Sequence, residues 1–209
     1  MMESLTDLSV EAFTTELAAK TSVPGGGGAA ALCGALGAAL CSMSANFTTG
    51  KKKYAAFEAD YERILQETDR VRFELLACMD EDAEAFLPLS RAYGIPKDDP
   101  TREEVLEKAT LDACRVPEKM VHLCCESVEL LEEMEQKGSV LLQSDVACAA
   151  LMTAAALQSA ALNVFVNTKT LKDQTTAEDI ETRVDGALSV YVPRAKAVAD
   201  RIEKKMRTK

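Results

Sequence analysis

Two aspartates, three asparagines, a run of four glycines and a run of three lysines are the residues of this chain best suited to chemistry. A 100° step per residue places Tyr61, Ile64, Val71, Leu75, Met79 and Phe86 on one stripe of a helix, with Asp82 at its centre. Asp80 and Glu81 point away from that stripe. A carboxylate on an apolar face must be paired, hydrogen-bonded or protonated, because desolvation raises its pKa. Thr68 and Arg72 lie at the stripe's edge. Asp82 is therefore either a structural partner of Arg72 or of the backbone, or a group tuned for proton transfer. Asp145 follows Ser144 at the start of an otherwise charge-free helix. There it serves either as a helix N-terminal partner or as the one charge facing a cavity, holding an amidine-like N–H pair or carrying a proton.

Asn46, Asn163 and Asn167 lie in or at the ends of two apolar helices, where each needs hydrogen-bond partners. They either join helix to helix or line a polar pocket. Gly25, Gly26, Gly27 and Gly28 precede a helix N-terminus, whose free N–H groups attract anions. No Gly-Lys-Ser/Thr follows, so this is no Walker loop, and no strand precedes it, so it is no dinucleotide fingerprint. Its plainer reading is a tight turn with close backbone approach. Lys51, Lys52 and Lys53 form either a solvated run or an attractor for a polycarboxylate tail.

The elements that must position these groups are helical. Ser9 caps a first helix that runs to about Lys20. The charge-free stretch from Thr21 to Gly50 holds a buried helix over residues 29–48, with Gly50 as its C-terminal cap. Its length would suit a membrane, but Gly34, Gly37, Ser42, Ser44 and Asn46 break its apolar character, so it reads as a core helix. A long helix starts at Lys51 and stops at Pro88. Thr101 and Glu104 form a capping box for the next, which runs to Lys137 with an interruption near Pro117. Ser144 caps a second charge-free helix over residues 146–168. Thr176 and Asp179 open the last, bent near Pro193. The expectation is an all-α bundle of about six helices in one domain over residues 1–209, two of them buried and charge-free. Four amphipathic helices cannot fully cover two such helices, so a subunit interface is expected to cover the rest, most simply in a homodimer.

Composition agrees. Of 209 residues 47% are hydrophobic and only 5% aromatic, without Trp, and the net charge is −10. That sign argues against nucleic acid as a partner. Cys33, Cys41, Cys78, Cys114 and Cys148 sit in apolar helical stretches, and Cys124 and Cys125 are adjacent. With no C-x-x-C pair and one histidine, they read as buried thiols of a reducing, cytoplasmic compartment rather than as zinc ligands. The N-terminus lacks the basic start and apolar centre of a secretion signal.

Taken in order, six segments resemble one family. They are Val23-Pro24-Gly25-Gly26-Gly27-Gly28, Ser44-Ala45-Asn46-Phe47-Thr48, Gly50-Lys51-Lys52-Lys53-Tyr54, Asp80-Glu81-Asp82-Ala83-Glu84-Ala85-Phe86, Ser144-Asp145 and Asn163-Val164-Phe165-Val166-Asn167. They look like the cyclodeaminase/cyclohydrolase family, which includes the C-terminal domain of formiminotransferase-cyclodeaminase and stand-alone methenyltetrahydrofolate cyclohydrolases. Many members carry Ser where this chain has Gly28, and Asn where it has Ser139, so no role is given to a hydroxyl at position 28.

The resemblance implies a helical dimer acting on the carbon that bridges N5 and N10 of tetrahydrofolate, without metal, redox cofactor or membrane. A cyclohydrolase opens the methenyl bridge with water to give 10-formyltetrahydrofolate. A cyclodeaminase closes 5-formiminotetrahydrofolate onto N10 and expels ammonia. The first is favoured because the chain carries no formiminotransferase domain and its four-glycine run is like that of the stand-alone enzymes. A non-catalytic folate-binding dimer is the alternative of another class. Asp82 and Asp145 are the expected catalytic carboxylates, one for proton transfer and one for the pterin, in either order. Gly25 to Gly28, Asn46 and Asn163 are expected to bind substrate, and Lys51, Lys52 and Lys53 its anionic tail.

Overall fold

In the computed structural model, which describes residues 4–208, six α-helices account for most of the chain, and no strand occurs among the described residues. Residues 1–3, where the start was read for a secretion signal, and residue 209 lie outside the described residues. The helices are α1 (Val10–Ala18), α2 (Gly26–Asn46), α3 (Glu58–Ala92), α4 (Arg102–Lys137), α5 (Gln143–Thr168) and α6 (Gln174–Arg207). Short 3-10 turns occupy Leu5–Asp7, Lys52–Phe57 and Val140–Leu142.

Several helix ends differ from the sequence reading, each for a physical reason. Ser9 does cap α1, its hydroxyl oxygen accepting from the Ala12 N–H at 3.1 Å. Gly26, Gly27 and Gly28 are not a loop: they are the first turn of α2. Glycine costs helix stability, but here it lets the helix end approach its neighbours. α2 ends at Asn46, and Gly50, at φ 76°, turns the chain beyond it. The lysine run enters the 3-10 turn, and α3 begins only at Glu58. Thr101 makes no capping bond for α4; Asp99 instead accepts from the Thr101 N–H and hydroxyl at 2.8 and 2.7 Å. Ser144 lies inside α5 and does not cap it. α6 is capped by Asp173, which accepts from Thr175 and Thr176 N–H groups.

Pro88, Pro117 and Pro193 all lie within continuous helices. A proline removes one i→i−4 bond and frees the carbonyl four residues earlier. Behind Pro88 and Pro193 those carbonyls belong to exposed Glu84 and Ser189, where water can serve them. Behind Pro117 the freed carbonyl is that of Ala113, which accepts from the Asn167 side-chain amide at 3.1 Å.

α4 lies against α3, α5 and α6, and α2 is held between α3 and α5. The predicted stripe of α3 is the core face: Tyr61, Ile64, Val71 and Leu75 are fully buried, each such side chain contributing about 1.5–3 kcal/mol. α2 and α5 run side by side and antiparallel, because Gly26 sits opposite Asn163, Gly34 opposite Ala156, and Gly37 opposite Ala149 and Thr153. They are not buried all round. Leu36 on α2 is 47% exposed, and on α5 Leu151, Leu162 and Val166 are 53%, 67% and 62% exposed. These residues mark one outer apolar face on the side away from α4. Cys148 also lies exposed on it, against expectation, whereas Cys41, Cys78, Cys114, Cys124 and Cys125 are buried and all seven thiols are free. α2 and the stretch Val140–Thr168 both have the length and apolarity of a membrane span, yet each buries its inner side against other helices.

Candidate functional site

The first turn of α2 points at the middle of α3 and at the last turns of α5. Between them lies a cavity of about 210 Å³, lined by Gly25, Gly26, Gly27, Asp82, Asn163 and Asn167. Ser22 and Val23 from the preceding segment, Phe86 of α3, Val166 of α5, and Ala113 and Pro117 of α4 complete its wall. A Cβ placed on Gly27 would lie 2.6 Å from Asp82 Oδ1, so the carboxylate rests directly on the α2 backbone. Any larger residue there would push the carboxylate aside. A Cβ on Gly26 would stand 3.5 Å from Asn163 Oδ1.

Three acidic residues follow one another on α3, and their fates differ. Asp80 accepts from the Leu5 N–H at 2.7 Å and the Ser4 hydroxyl at 2.5 Å. Glu81 pairs with Lys119 at 3.1 Å. No hydrogen bond or ion pair to Asp82 occurs among the described residues. Arg72 does not pair with it: that guanidinium holds Asp69 at 2.9 Å and covers the Phe73 ring at 4.3 Å. Neither structural partner considered for Asp82, Arg72 or the backbone, holds it among the described residues. Burial pushes its carboxyl from the ordinary 3.8 up to about 6, while the positive end of the α2 dipole favours its charged form. An unpaired acid with a pKa near neutrality can give and take protons.

Both asparagines of α5 are oriented. Asn163 Nδ2 donates to the Ser159 carbonyl at 2.8 Å, and Asn167 Nδ2 to that of Ala113. Gly28 is buried beside Pro24 and does not line the cavity.

The remaining expected site residues lie elsewhere. At a rise of about 1.5 Å per residue, Asp145 is roughly 27 Å along α5 from Asn163. The antiparallel register puts Asn46 at that same far end, exposed, its Nδ2 on the Ser42 carbonyl at 3.1 Å. Thr48 Oγ1 accepts from the Ser139 N–H at 3.0 Å and the Tyr54 hydroxyl from the Val140 N–H at 3.2 Å, which brings exposed Lys51, Lys52 and Lys53 to the same place. One chain therefore holds two separate groups: Asp82, Gly26, Gly27 and Asn163 at one end of the α2–α5 pair, and Asp145, Asn46 and the lysines at the other. Within one chain Asp82 and Asp145 therefore stand at opposite ends of the α2–α5 pair.

Asn167, read from the sequence as a helix-joining or pocket-lining residue, both lines the cavity and joins α5 to α4, whereas Phe86 and the Ala113 carbonyl were not among the expected site residues. The one sequence signal for them was Pro117, a breaker amid helical periodicity. No cluster of three or more His, Cys, Asp or Glu suited to a metal ion occurs among the described residues. Chemically, the cavity offers one titratable carboxylate, two amide groups and apolar walls from Phe86 and Val166. That suits a flat heterocycle carrying N–H donors and positive charge.

Comparison with known proteins gives a consistent picture. Residues 9–186 match the family described as formiminotransferase-cyclodeaminase. The chain is 38% identical over 205 residues to the methenyltetrahydrofolate cyclohydrolase of Methylorubrum extorquens, covering 96% of this chain and 97% of that protein. It is 29% identical to the formimidoyltransferase-cyclodeaminase of Rattus norvegicus, again over 96% of this chain but only 38% of the rat protein. Its fold is similar to the crystal structure of formiminotetrahydrofolate cyclodeaminase from Thermotoga maritima, with a TM-score of 0.85 and 29% identity over 95% of this chain and 99% of that one.

Proposed function

The chain belongs to the formiminotransferase-cyclodeaminase family, and we propose that it is a methenyltetrahydrofolate cyclohydrolase, opening 5,10-methenyltetrahydrofolate with water to 10-formyltetrahydrofolate. The observation that carries this reading is Asp82, unpaired, desolvated and set in a cavity sized for one heterocycle. The methenyl bridge is cationic, so the carboxylate stabilises it electrostatically. As water attacks the bridge carbon, Asp82 takes its proton, leaving a neutral tetrahedral hydroxyl adduct. The carboxyl then returns that proton to N5 and, as the C–N5 bond breaks, takes up the proton of the adduct's hydroxyl, so that the carbon remains on N10 as a formyl group and one proton passes on to solvent. No electrons are exchanged, so the reaction needs no redox partner.

The likeness to the relative from Methylorubrum, nearly end to end in both chains, favours hydrolysis. The likeness to the Thermotoga structure supports the second reading: N10 attacks a 5-formimino carbon and ammonia leaves.

The working form in this proposal is a cytoplasmic homodimer. Seven free thiols support the reducing compartment. The apolar face of α2 and α5 supports the dimer, since a patch of this kind marks an interaction site. A two-fold axis perpendicular to the α2–α5 pair would set the Asp82 end of one copy against the Asp145 end of the other. Asp145 would then accept from the substrate or relay a proton, and Lys51, Lys52 and Lys53 would attract the glutamate tail.

The test follows the ultraviolet band of 5,10-methenyltetrahydrofolate at neutral pH against a buffer blank. Loss of the band faster than the blank is expected. A flat trace, followed by growth of the band on adding 5-formiminotetrahydrofolate, would replace hydrolysis with deamination. Silence with both substrates would leave a folate-binding protein without this chemistry.

A further inference from the structure

We propose that Asn167 positions the substrate by accepting from the N–H edge of the pterin through its Oδ1, and that Pro117 sets Asn167 in place by withdrawing a backbone donor. This rests on the folate reading above and adds to it a residue and a direction. Pro117 has no N–H, so the Ala113 carbonyl loses its partner within α4. Asn167, on a different helix, supplies that partner at 3.1 Å. A carbonyl only accepts, so the bond fixes the amide: its nitrogen faces α4 and its oxygen is left over. Asn163 lies one turn earlier on the same face of α5 and is fixed in the same way, by the Ser159 carbonyl. Ala113, Pro117, Asn163 and Asn167 all line the cavity that holds Asp82. No donor from the described residues reaches either Oδ1.

The cavity thus presents two amide oxygens one helical turn apart, together with a carboxylate. Three acceptors around one space call for a ligand with several N–H donors on one edge. An aminopyrimidinone ring has them, in its amino group and ring N–H. Phe86 and Val166 add apolar surface for its faces. The carboxylates at the glutamate end of a folate only accept, and this wall would repel them. The geometry therefore gives the substrate a direction, pterin inward and tail outward.

Four proteins test this: wild type, Pro117→Ala, Asn167→Ala and the double variant. The probe is 5-formyltetrahydrofolate, titrated by calorimetry, with kcat and KM measured for 5,10-methenyltetrahydrofolate. Alanine at position 117 restores the helical N–H, which captures the Ala113 carbonyl and releases Asn167. Each single variant is expected to bind about tenfold more weakly, the loss of one well-placed hydrogen bond, with KM raised and kcat nearly kept. The double variant should bind no more weakly than Asn167→Ala, because Pro117 acts only through Asn167. Pro117→Ala completes a helix, so circular dichroism and thermal unfolding should show it folded like wild type. Wild-type affinity in Pro117→Ala, or losses that add in the double variant, would overturn the inference and leave the folate reading standing. A wild type that binds no folate would overturn both.

Discussion

In the proposed cyclohydrolase Asp82 is the residue on which both stability and catalysis turn, and the two pull in opposite directions. Its carboxyl has a pKa of about 6 in the fold against an ordinary 3.8. The folded chain therefore holds the proton more tightly than the unfolded chain. This group's contribution to stability is full below about pH 4 and is lost as pH rises through 6. At pH 8 the buried charge costs up to about 3 kcal/mol, reduced by the favourable α2 N-terminus. Asp82→Asn keeps the shape and removes the charge. Its thermal midpoint should exceed that of wild type at pH 8, by about 2–4 °C for each kcal/mol recovered, and the two should converge near pH 4. In the same variant kcat should fall about a hundredfold or more. The acidic limb of the wild-type kcat/KM profile, centred near pH 6, should vanish. A variant less stable than wild type at pH 8 would mean that Asp82 has a charged partner after all.

At the scale of elements, the glycines of α2 mark where helices touch. A Cβ on Gly37 would stand 2.5 Å from Thr153 Oγ1 and 3.2 Å from the Ala149 carbonyl. The second contact is backbone and cannot swing away, so Gly37→Ala should part α2 from α5 and cost about 1–3 kcal/mol. Gly186 in α6 has open space around its missing Cβ, so Gly186→Ala should stabilise by about 0.5–1 kcal/mol. Urea midpoints of the two variants on either side of wild type would bear this out, and Gly37→Ala matching Gly186→Ala would refute it. Helix number, the buried stripe of α3 and the place of Asp82 on it were legible in the sequence, because periodicity reports which face of a helix is apolar. It does not report which end of one helix meets which end of another. Hence Asp82 and Asp145 could each be placed on a helix face, but not the antiparallel α2–α5 register that sets them at opposite ends of one chain. Pro88 was read as a helix end, Pro117 as an interruption and Pro193 as a bend, because a proline's cost is local, while its compensation is not. The Ala113 carbonyl is served by Asn167, far away in sequence.

For the whole molecule, the proposed homodimer would account at once for the separation of the two residue groups and for the exposed apolar face of α2 and α5, with a second copy turned end for end across that face. In the proposed homodimer Asp82 of one subunit would then work with Asp145 of the other. Leu151, half-exposed in the middle of α5, is the position at which to break the pairing. Leu151→Glu should halve the mass measured by light scattering, preserve helicity and abolish turnover. A stricter prediction concerns mixtures. Asp82→Asn and Asp145→Asn homodimers should each be nearly inactive, since both sites of each lack a carboxylate. Coexpressed with different tags, the two chains form mixed dimers in which one site lacks both carboxylates and the other is intact. Random pairing makes about half of the dimers mixed, each with one working site, so activity should return to about a quarter of wild type. Sites built within single chains would regain nothing on mixing, because every chain would still carry its own lesion. Recovery near a quarter therefore separates a shared site from a dimer that merely buries apolar surface. Absence of recovery, with mixed dimers shown present by their two tags, would return Asp145 to the role of a helix N-terminal charge.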